Sequence, residues 1–426
     1  MATITGIKYN KTILSGGLRV VSEQVPAVRS VAFGVLIDVG SRDETEREKG
    51  ASHFIEHMLF KGTRRRSAKQ IATSVESLGG SLNAFTSREQ TCYHAIVLDE
   101  HLGHAIDVIS DIMMNSTFTP HSIEREKQVV AEEIREIEET PSDLIHELFA
   151  STFWRGQSLG SPIMGSKESV KSLTKRRLKS YMNKHYSAGK IVIAAAGNVS
   201  HRKLVSMVKE KFDFASKTDG PAEKAVPPSD FLMKLYNNGS NQAHICLGFP
   251  GLHFGHLDRF SLLCLHTYLG GGMSSVLFQK IREEKGMAYT VYTFTDFYRD
   301  TGIFGIYLAT DRRRVSQAIE IILRELGRVK RRKLGPDRLD IVKAQMKGNL
   351  TLGMESTPGR MNRLGRHELM LGRYVSLQDA LKAIDRTTSE QLIRIARTLL
   401  NHDTITVTSL GPVSEDDLKA VDWSLV

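Results

Sequence analysis

Apolar and polar positions along the first part of the chain predict strands separated by amphipathic helices. Strand patterns, either alternating or as short continuous apolar runs, occur at GLRVVSEQ, SVAFGVLIDVGS, QTCYHAIVLD and IVIAAAG. Helical spacing of apolar residues occurs at SAKQIATSVESLGG, HLGHAIDVISDIMMN and HSIEREKQVVAEEIREIEET, and Pro141 ends the last of these helices. We therefore predict an α+β fold, with a mostly antiparallel sheet and helices packed on one face.

The same pattern occurs again in the later part of the chain. Three landmarks recur in order: 93–109 is similar to 304–322, Thr-Pro at 140–141 recurs at 357–358, and the strand at 191–200 is similar to that at 405–414. All three intervals are close to half of the 426 residues. A repeat at one long interval indicates that a whole folding unit is duplicated, so we predict two homologous halves.

A segment without hydrophobic periodicity separates these halves. The segment SKTDGPAEKAVPPSD is rich in Pro, Gly and charged residues, which is typical of a linker. We therefore predict an N-terminal half at 1–215, a linker at 216–230 and a C-terminal half at 231–426.

The stretch GASHFIEHMLFKGT at 50–63 places three ionisable side chains in an otherwise apolar helix. His53 and His57 are four residues apart, so they share one face of the helix and can bind one cation. Glu56 lies on the same side and can reach a water on that cation, where it can act as a general base. Two imidazoles suit zinc, and H-x-x-E-H is the inverzincin signature.

A surface face or a satisfied polar network in the core would also explain these three side chains. Their neighbours, however, are Phe54, Ile55, Met58, Leu59 and Phe60, which predict that the helix is largely buried. Burying three ionisable groups without a partner or a metal is costly, so the pattern favours a metal site.

A third ligand is expected from the acidic helix at 124–139. Glu126 and Glu133 lie seven residues apart on one face, and Glu132 and Glu136 are near that face. Any of these glutamates could instead belong to a solvated surface, and spacing alone does not choose among them.

Three stretches together resemble the pitrilysin and insulinase family of zinc peptidases: HFIEHMLFKGT, LGGSLNAFTSREQTCYHA and EREKQVVAEEI. The similarity is to the mitochondrial processing peptidase branch and its bacterial relatives, and it covers almost the whole chain. It implies one zinc ion per chain, held by His53, His57 and Glu133, with Glu56 as the general base. It also implies that Glu126 supports the site without binding the metal.

The resemblance implies the LuxS/mitochondrial-processing-peptidase-like metallohydrolase fold, with two similar halves that face each other as a clam shell. Only one half of such a protein binds metal. The corresponding stretch of the second half, LLCLHTYLGGG, keeps His266 but has Leu262 and Leu265 in place of His53 and Glu56. We therefore expect the second half to be metal-free.

The stretch GGGMSSVLFQKIREEKGMAYTV at 270–291 predicts a glycine loop, a helix and a strand that follows Gly286. No Lys-Ser/Thr follows the glycines, so the loop is not a P-loop. Composition alone would place Arg282 on the surface. The resemblance implies instead that Arg282 and Tyr289 are catalytic groups that donate to the substrate carbonyl and its developing oxyanion.

Asn83, Ala84 and Phe85 begin a short strand near the motif helix. An ordinary strand of the sheet is the alternative interpretation. The resemblance implies that these three residues bind substrate, because a peptide can add to a strand edge through main-chain hydrogen bonds.

Composition narrows the choice of compartment and partner. The net charge is +10 and basic clusters occur, such as 330–333, but no nucleic-acid-binding motif accompanies them. We therefore expect no nucleic-acid partner. No apolar run reaches the ~18–20 residues that cross a bilayer, so we expect no membrane association. The three cysteines are scattered, as in a reducing compartment. We predict a bacterial cytoplasmic protein, with a mature organellar form as the alternative. The resemblance implies a homodimer, with a heterodimer with a sister subunit as the alternative.

These observations predict a zinc-dependent endopeptidase that hydrolyses peptides or extended, unfolded segments. The alternative is a non-catalytic or substrate-presenting subunit of a heterodimeric peptidase or of a respiratory-complex scaffold. In the family that this chain resembles, such subunits usually lose parts of the metal motif, whereas this chain keeps all of it.

Overall fold

A computed structural model describes residues 7–217 and 223–426. The strands, in chain order, are β1 Lys8–Ile13, β2 Arg19–Gln24, β3 Ser30–Ile37, β4 Ser81–Thr86, β5 Thr91–Leu98, β6 Ile191–Gly197, β7 Leu232–Tyr236, β8 Ala243–Pro250, β9 Ala288–Phe297, β10 Gly302–Thr310 and β11 Thr406–Leu410. The α-helices are α1 Ala51–Leu59, α2 Ala68–Glu76, α3 Leu102–Asn115, α4 Pro120–Glu139, α5 Pro141–Phe153, α6 Lys167–Ser172, α7 Lys175–His185, α8 His201–Lys211, α9 Arg259–Gly270, α10 Val315–Arg331, α11 Pro336–Gly353, α12 Thr357–Leu371, α13 Leu377–Asp385, α14 Ser389–Leu399 and α15 Glu415–Lys419.

The chain forms two compact units, and neither is continuous in sequence. The first unit is drawn from Met1–Arg135, Ser161–Ala222 and Leu352–Val375. The second unit is drawn from Glu136–Gly160, Glu223–Thr351 and Ser376–Val426. Each unit therefore contains one helical segment, α12 or α5, that comes from the opposite half of the sequence.

The first unit is built on a six-stranded sheet in the order β1-β2-β6-β3-β5-β4. Its neighbouring strands are antiparallel except β2 and β6, which are parallel. One face carries a large apolar core to which α1, α3 and α4 contribute. Helix α12 covers the opposite face, where Met361 and Leu364 pack against the sheet. A buried ion pair between Arg360 and Glu23 attaches the same helix to β2.

The second unit repeats this design with five strands in the order β7-β11-β8-β10-β9. Only the pair β7 and β11 is parallel, so order and direction match β2-β6-β3-β5-β4 of the first unit. Helices α9 and α10 contribute to the core on one face. Helix α5 covers the other face, where Phe149 packs so closely over Gly248 that no Cβ would fit there.

The structure confirms the predicted α+β class and the two similar sheet-and-helix units. The expectation of helices on one face is incomplete, because α12 and α5 each cover a second face. A facing, clam-shell arrangement of the halves stays a prediction, as do the boundaries at 1–215 and 231–426. Part of the predicted linker, residues 218–222, lies outside the described residues. No helix within the described ranges has the length and apolar character that crossing a membrane requires.

Candidate metal centre

Helix α1 divides its residues between an apolar face and an ionisable face. Phe54, Ile55, Met58 and Leu59 are buried in the core of the first unit. His53, Glu56 and His57 are half-buried on the other side of the helix. The two imidazole rings lie 4.5 Å apart between centroids, so the i, i+4 spacing brings them together as predicted.

Helix α4 supplies carboxylates to the same place. Its buried face contains Ile123, Glu126, Val130 and Ile134. This packing turns Glu126, and Glu133 two turns further along, toward α1. Another glutamate that the sequence offered, Glu132, is exposed and pairs with Arg135 instead. The packing of α4 thus selects among glutamates that spacing left open.

His53, His57 and Glu133 converge on one point. The Glu133 Oε2 atom lies 3.9 Å from His53 Nε2 and 3.6 Å from His57 Nε2. All three ligand atoms lie within 4.8 Å of one another, the one such group found among residues 7–217 and 223–426. A tetrahedral zinc with bonds of about 2.0–2.1 Å would set its ligands ~3.4 Å apart. Both the donor set and the spacing therefore fit zinc.

Glu126 lies behind His57 and holds its ring. The Glu126 Oε1 atom is 2.8 Å from His57 Nδ1, and Oε2 is 2.9 Å from Lys61 Nζ. The Glu126 side chain is only 3% exposed. When His57 Nδ1–H donates to this carboxylate, Nε2 is left as the ligand atom, an arrangement that orients metal-binding histidines in many proteins.

The surroundings shift the pKa values of the two histidines in opposite directions. Burial, together with the nearby His57, lowers the pKa of His53 to about 4. Burial also acts to lower the pKa of His57, but the hydrogen bond to Glu126 and the charges of Glu133, Glu126 and Glu56 outweigh it and raise that pKa. His53 is thereby a neutral imidazole, the form that binds metals.

Glu56 is the carboxylate on α1 itself. The hydroxyl of Thr86, at the end of β4, donates to Glu56 Oε2 at 2.5 Å. Burial raises the pKa of Glu56 above its ordinary value, although the Thr86 bond acts against the shift. A carboxylate with a raised pKa accepts and returns a proton more readily near neutral pH. Sequence reasoning did not identify Thr86, although it belongs to the stretch SLNAFTSREQ.

The predicted substrate strand lies at the end of the first sheet. Asn83, Ala84 and Phe85 belong to β4, which is the last strand in the order and pairs with β5. Asn83 is exposed, and Ala84 and Phe85 are half-buried. These residues occupy an edge strand, and their role toward substrate stays a prediction.

Arg282 and Tyr289 lie together in the second unit. Arg282 is in a π-helix, Phe278–Glu283, and its guanidinium is 5.3 Å from the centre of the Tyr289 ring and 4.7 Å from that of Phe278. Tyr289 is 76% exposed at the start of β9. Both residues line a cavity of about 390 Å³ within this unit. Their predicted role at the metal centre stays a prediction.

The helix of the second unit that corresponds to α1 has a different composition. In α9, Leu262 and Leu265 are fully buried in the apolar core. His266 Nδ1 lies 2.8 Å from the Thr293 hydroxyl, and burial lowers the pKa of this histidine. His266 is therefore a partnered histidine beside the core.

Comparisons with known proteins agree with this geometry. Residues 19–167 match the family model "Insulinase (Peptidase family M16)", and residues 172–346 match the model "Peptidase M16 inactive domain". The relative named "Uncharacterized zinc protease YmxG" from Bacillus subtilis is 42% identical over 388 residues, which span 91% of this chain and 94% of the relative. "Uncharacterized zinc protease SCO5738" from Streptomyces coelicolor is 39% identical over 413 residues, 95% of this chain and 90% of the relative.

Solved structures share the fold at lower identity. A protease from Helicobacter pylori superposes with a TM-score of 0.88 at 21% identity, covering 95% of this chain and 100% of that one. A chain of complex III from Candida albicans gives a TM-score of 0.82 at 20% identity, covering 98% of each chain. These two similarities establish the architecture and nothing finer.

The two matched models follow each other along the chain, and the curated relatives match over nearly its entire length. The predicted resemblance is confirmed: the chain belongs to the insulinase family, peptidase family M16.

Proposed function

We propose that the protein is a zinc-dependent endopeptidase that hydrolyses peptides or extended segments of unfolded proteins. The observation that carries the proposal is the convergence of His53 Nε2, His57 Nε2 and Glu133 Oε2 on one point. Glu56 stands on the same face of α1. The relatives named zinc proteases support both the metal and the reaction class.

Each residue has a separate task in the proposed reaction. A bound zinc ion would polarise the scissile carbonyl and lower the pKa of water. His53, His57 and Glu133 would hold that ion, and Glu126 keeps the His57 ring oriented. Glu56 accepts a proton from the attacking water and later passes it to the leaving amine.

Substrate binding is the less local part of the proposal. The edge strand β4 offers main-chain groups to an extended peptide, which gives affinity with little sequence preference. Arg282 and Tyr289 are proposed to donate to the scissile carbonyl and to stabilise the negative charge that develops on its oxygen. A bacterial homodimer remains the expected assembly.

A non-catalytic subunit is the competing function. Such a protein would have no reason to keep the complete set of His53, Glu56, His57 and Glu133, together with the carboxylate that orients His57. The match to an inactive-domain model covers residues 172–346, which contain none of these groups. The first unit therefore favours the enzyme.

The decisive experiment compares wild type with Glu56→Gln. Cleavage of a quenched fluorescent peptide library and bound zinc are measured for both proteins. The variant should keep about one zinc per chain, because the ligands are intact, and should lose ~10²–10⁴-fold in turnover, because the base is gone. Glu132→Gln, an exposed glutamate on α4, is the matched control and should behave as wild type.

Two results would refute the proposal in different ways. Wild type that holds zinc but cleaves no peptide would favour the non-catalytic subunit. Wild type that holds no zinc would show that His53, His57 and Glu133 are not ligands.

A further inference from the structure

The N-terminus of the metal-binding helix has no capping side chain of its own. The N-cap residue of α1 is Gly50, which has a left-handed φ of 85°. A Cβ at this position would lie 2.5 Å from the carbonyl oxygen of Met164, so a capping Ser or Asp does not fit. The first N–H groups of a helix lack partners within it, and those of α1 must be satisfied from elsewhere.

Glu44 provides these partners from a separate part of the chain. Its Oε2 atom accepts the Gly50 N–H at 2.7 Å, and its Oε1 atom accepts the Ser52 N–H at 2.7 Å. The Ala51 N–H between them donates to the Glu48 carbonyl at 2.8 Å. The Ser52 hydroxyl lies 2.8 Å from the Tyr181 hydroxyl. The first turn is therefore fixed at several points in a buried polar setting.

Burying the Glu44 side chain costs more desolvation free energy than an ordinary helix cap at the surface. Glu44 is 7% exposed, and burial raises its pKa to about 8 although two amide hydrogen bonds act against the shift. A Ser or Asp cap exposed to solvent would stabilise a helix without such a burial cost. The geometry explains what the buried carboxyl group adds: its bonds to two amides two residues apart fix both the axial position and the rotation of the first turn.

The fixed turn leads directly to the metal ligands. Ser52, whose amide Glu44 holds, is followed immediately by His53, and His57 lies one turn further along. We infer that Glu44 is a positioning residue for the proposed metal centre, whose side-chain carboxyl group fixes the start of α1 and so places His53 and His57 opposite Glu133. The inference rests on the proposed metal site. Glu44 acts through the backbone of α1 and is not itself a ligand.

The test separates positioning from general stability. Glu44→Gln keeps the length of the side chain but replaces one acceptor oxygen with an amide donor, which opposes one of the two N–H groups. Zinc affinity is measured by competition with a chelator, and hydrogen exchange of the α1 amides is measured in metal-free protein. We expect zinc to bind about 10-fold more weakly, as when groups that orient ligands are removed. Exchange at 50–56 should quicken while α2 is unchanged.

Two control variants should lower the stability of the first unit at places away from α1, one by altering a buried carboxylate and one by removing a helix cap. Glu23→Gln alters the buried carboxylate that pairs with Arg360. Ser67→Ala removes the side-chain cap of α2, where the Ser67 hydroxyl accepts the Gln70 N–H. Both should lower the melting temperature and leave the dissociation constant of zinc unchanged.

The outcomes are distinct. Unchanged zinc affinity and unchanged α1 exchange in Glu44→Gln would overturn the inference, as would an equal loss of affinity in Glu23→Gln. If wild type binds no zinc, the proposed function fails. In that case the exchange data still decide whether Glu44 holds the start of α1.

Discussion

The two units share a strand order but differ in one helix, which is α1 after β3 in the first unit and α9 after β8 in the second. In the first unit α1 presents His53, Glu56 and His57, and α4 adds glutamates. In the second unit α9 has buried leucines at two of those positions. Helix α11 begins at Pro336, about half a chain after α4 begins at Pro120, so it is the counterpart of α4, and it has no acidic residue from Ile341 to Gly353. The comparison shows that one scaffold accepts either a cluster of candidate metal ligands or an apolar contact at the same place, and that a few side chains decide which.

The units also differ in how the helix from the opposite half of the sequence is attached. Helix α12 is held on the first sheet by the buried ion pair of Arg360 with Glu23, by a partly exposed ion pair of Lys11 with Glu368, and by apolar contacts. Helix α5 is held on the second sheet by aromatic packing that includes Phe149 and Phe153. Similar topologies are thus stabilised by different chemistry.

The largest expected effect follows from removing a histidine in one unit and its counterpart in the other. His57→Ala should abolish stoichiometric zinc and peptidase activity, because two ligands and no oriented ring remain. His266→Ala should keep zinc and lose about 1 kcal/mol of stability with its Thr293 hydrogen bond. Zinc content and turnover are measured for both. Loss of zinc from His266→Ala would break the comparison.

Breaking the two helix attachments should cost ~3–5 kcal/mol of unfolding free energy each. Arg360→Ala leaves the Glu23 carboxylate buried without its ion-pair partner, and Phe149→Ala leaves a cavity over the second sheet. Replacing both ion-pair partners with Met should restore much of the first loss, whereas no such rescue exists for Phe149. Denaturant unfolding of the three variants provides the measurement. A double variant no more stable than Arg360→Ala would contradict the assignment.

The contribution of the second unit to catalysis is tested by Arg282→Ala and Tyr289→Phe. If these groups donate to the developing oxyanion, each should lower kcat by ~10²–10³-fold with zinc content unchanged. Arg313→Ala, which alters an exposed arginine of the same unit, is the control. Full activity in both site variants would remove the second unit from the chemistry.

The smallest expected effect concerns the carboxylate behind His57. Glu126→Gln should weaken zinc binding by ~10–100-fold, because the amide is a poorer acceptor for the His57 Nδ1–H. Zinc titration against a chelator gives the value, with Glu132→Gln as the neighbour that should show no change. Equal affinities for the two variants would mean that Glu126 serves Lys61 rather than His57.

Local pattern was sufficient to predict α1 and its two faces. Side chains at i and i+4 of a helix must share a face, so the two histidines are brought together wherever the helix packs. Glu133 could not be separated from its neighbours in this way. The rotation of α4 about its axis depends on how Ile123, Val130 and Ile134 pack, which is a tertiary property.

The positions of α5 and α12 could not be predicted from the sequence. Both are amphipathic, but amphipathicity reports that a helix has a buried face and not which sheet covers it. The role of Glu44 could not be predicted either, because it is one of several acidic residues in SRDETEREKG and the sequence does not show which of them contacts α1. A signal was present nonetheless, because Gly50 leaves the predicted helix without a capping residue.

The exchange of α5 and α12 has a consequence for dissecting the protein. A single cut in the segment 216–230 would divide the polypeptide but would leave each fragment holding a helix that completes the other fragment's unit. Gene fragments that end there should be poorly folded when expressed singly and should assemble when co-expressed. The chain thus has two similar folding units that exchange helices. The predicted linker between the sequence halves is therefore the wrong place to divide the protein.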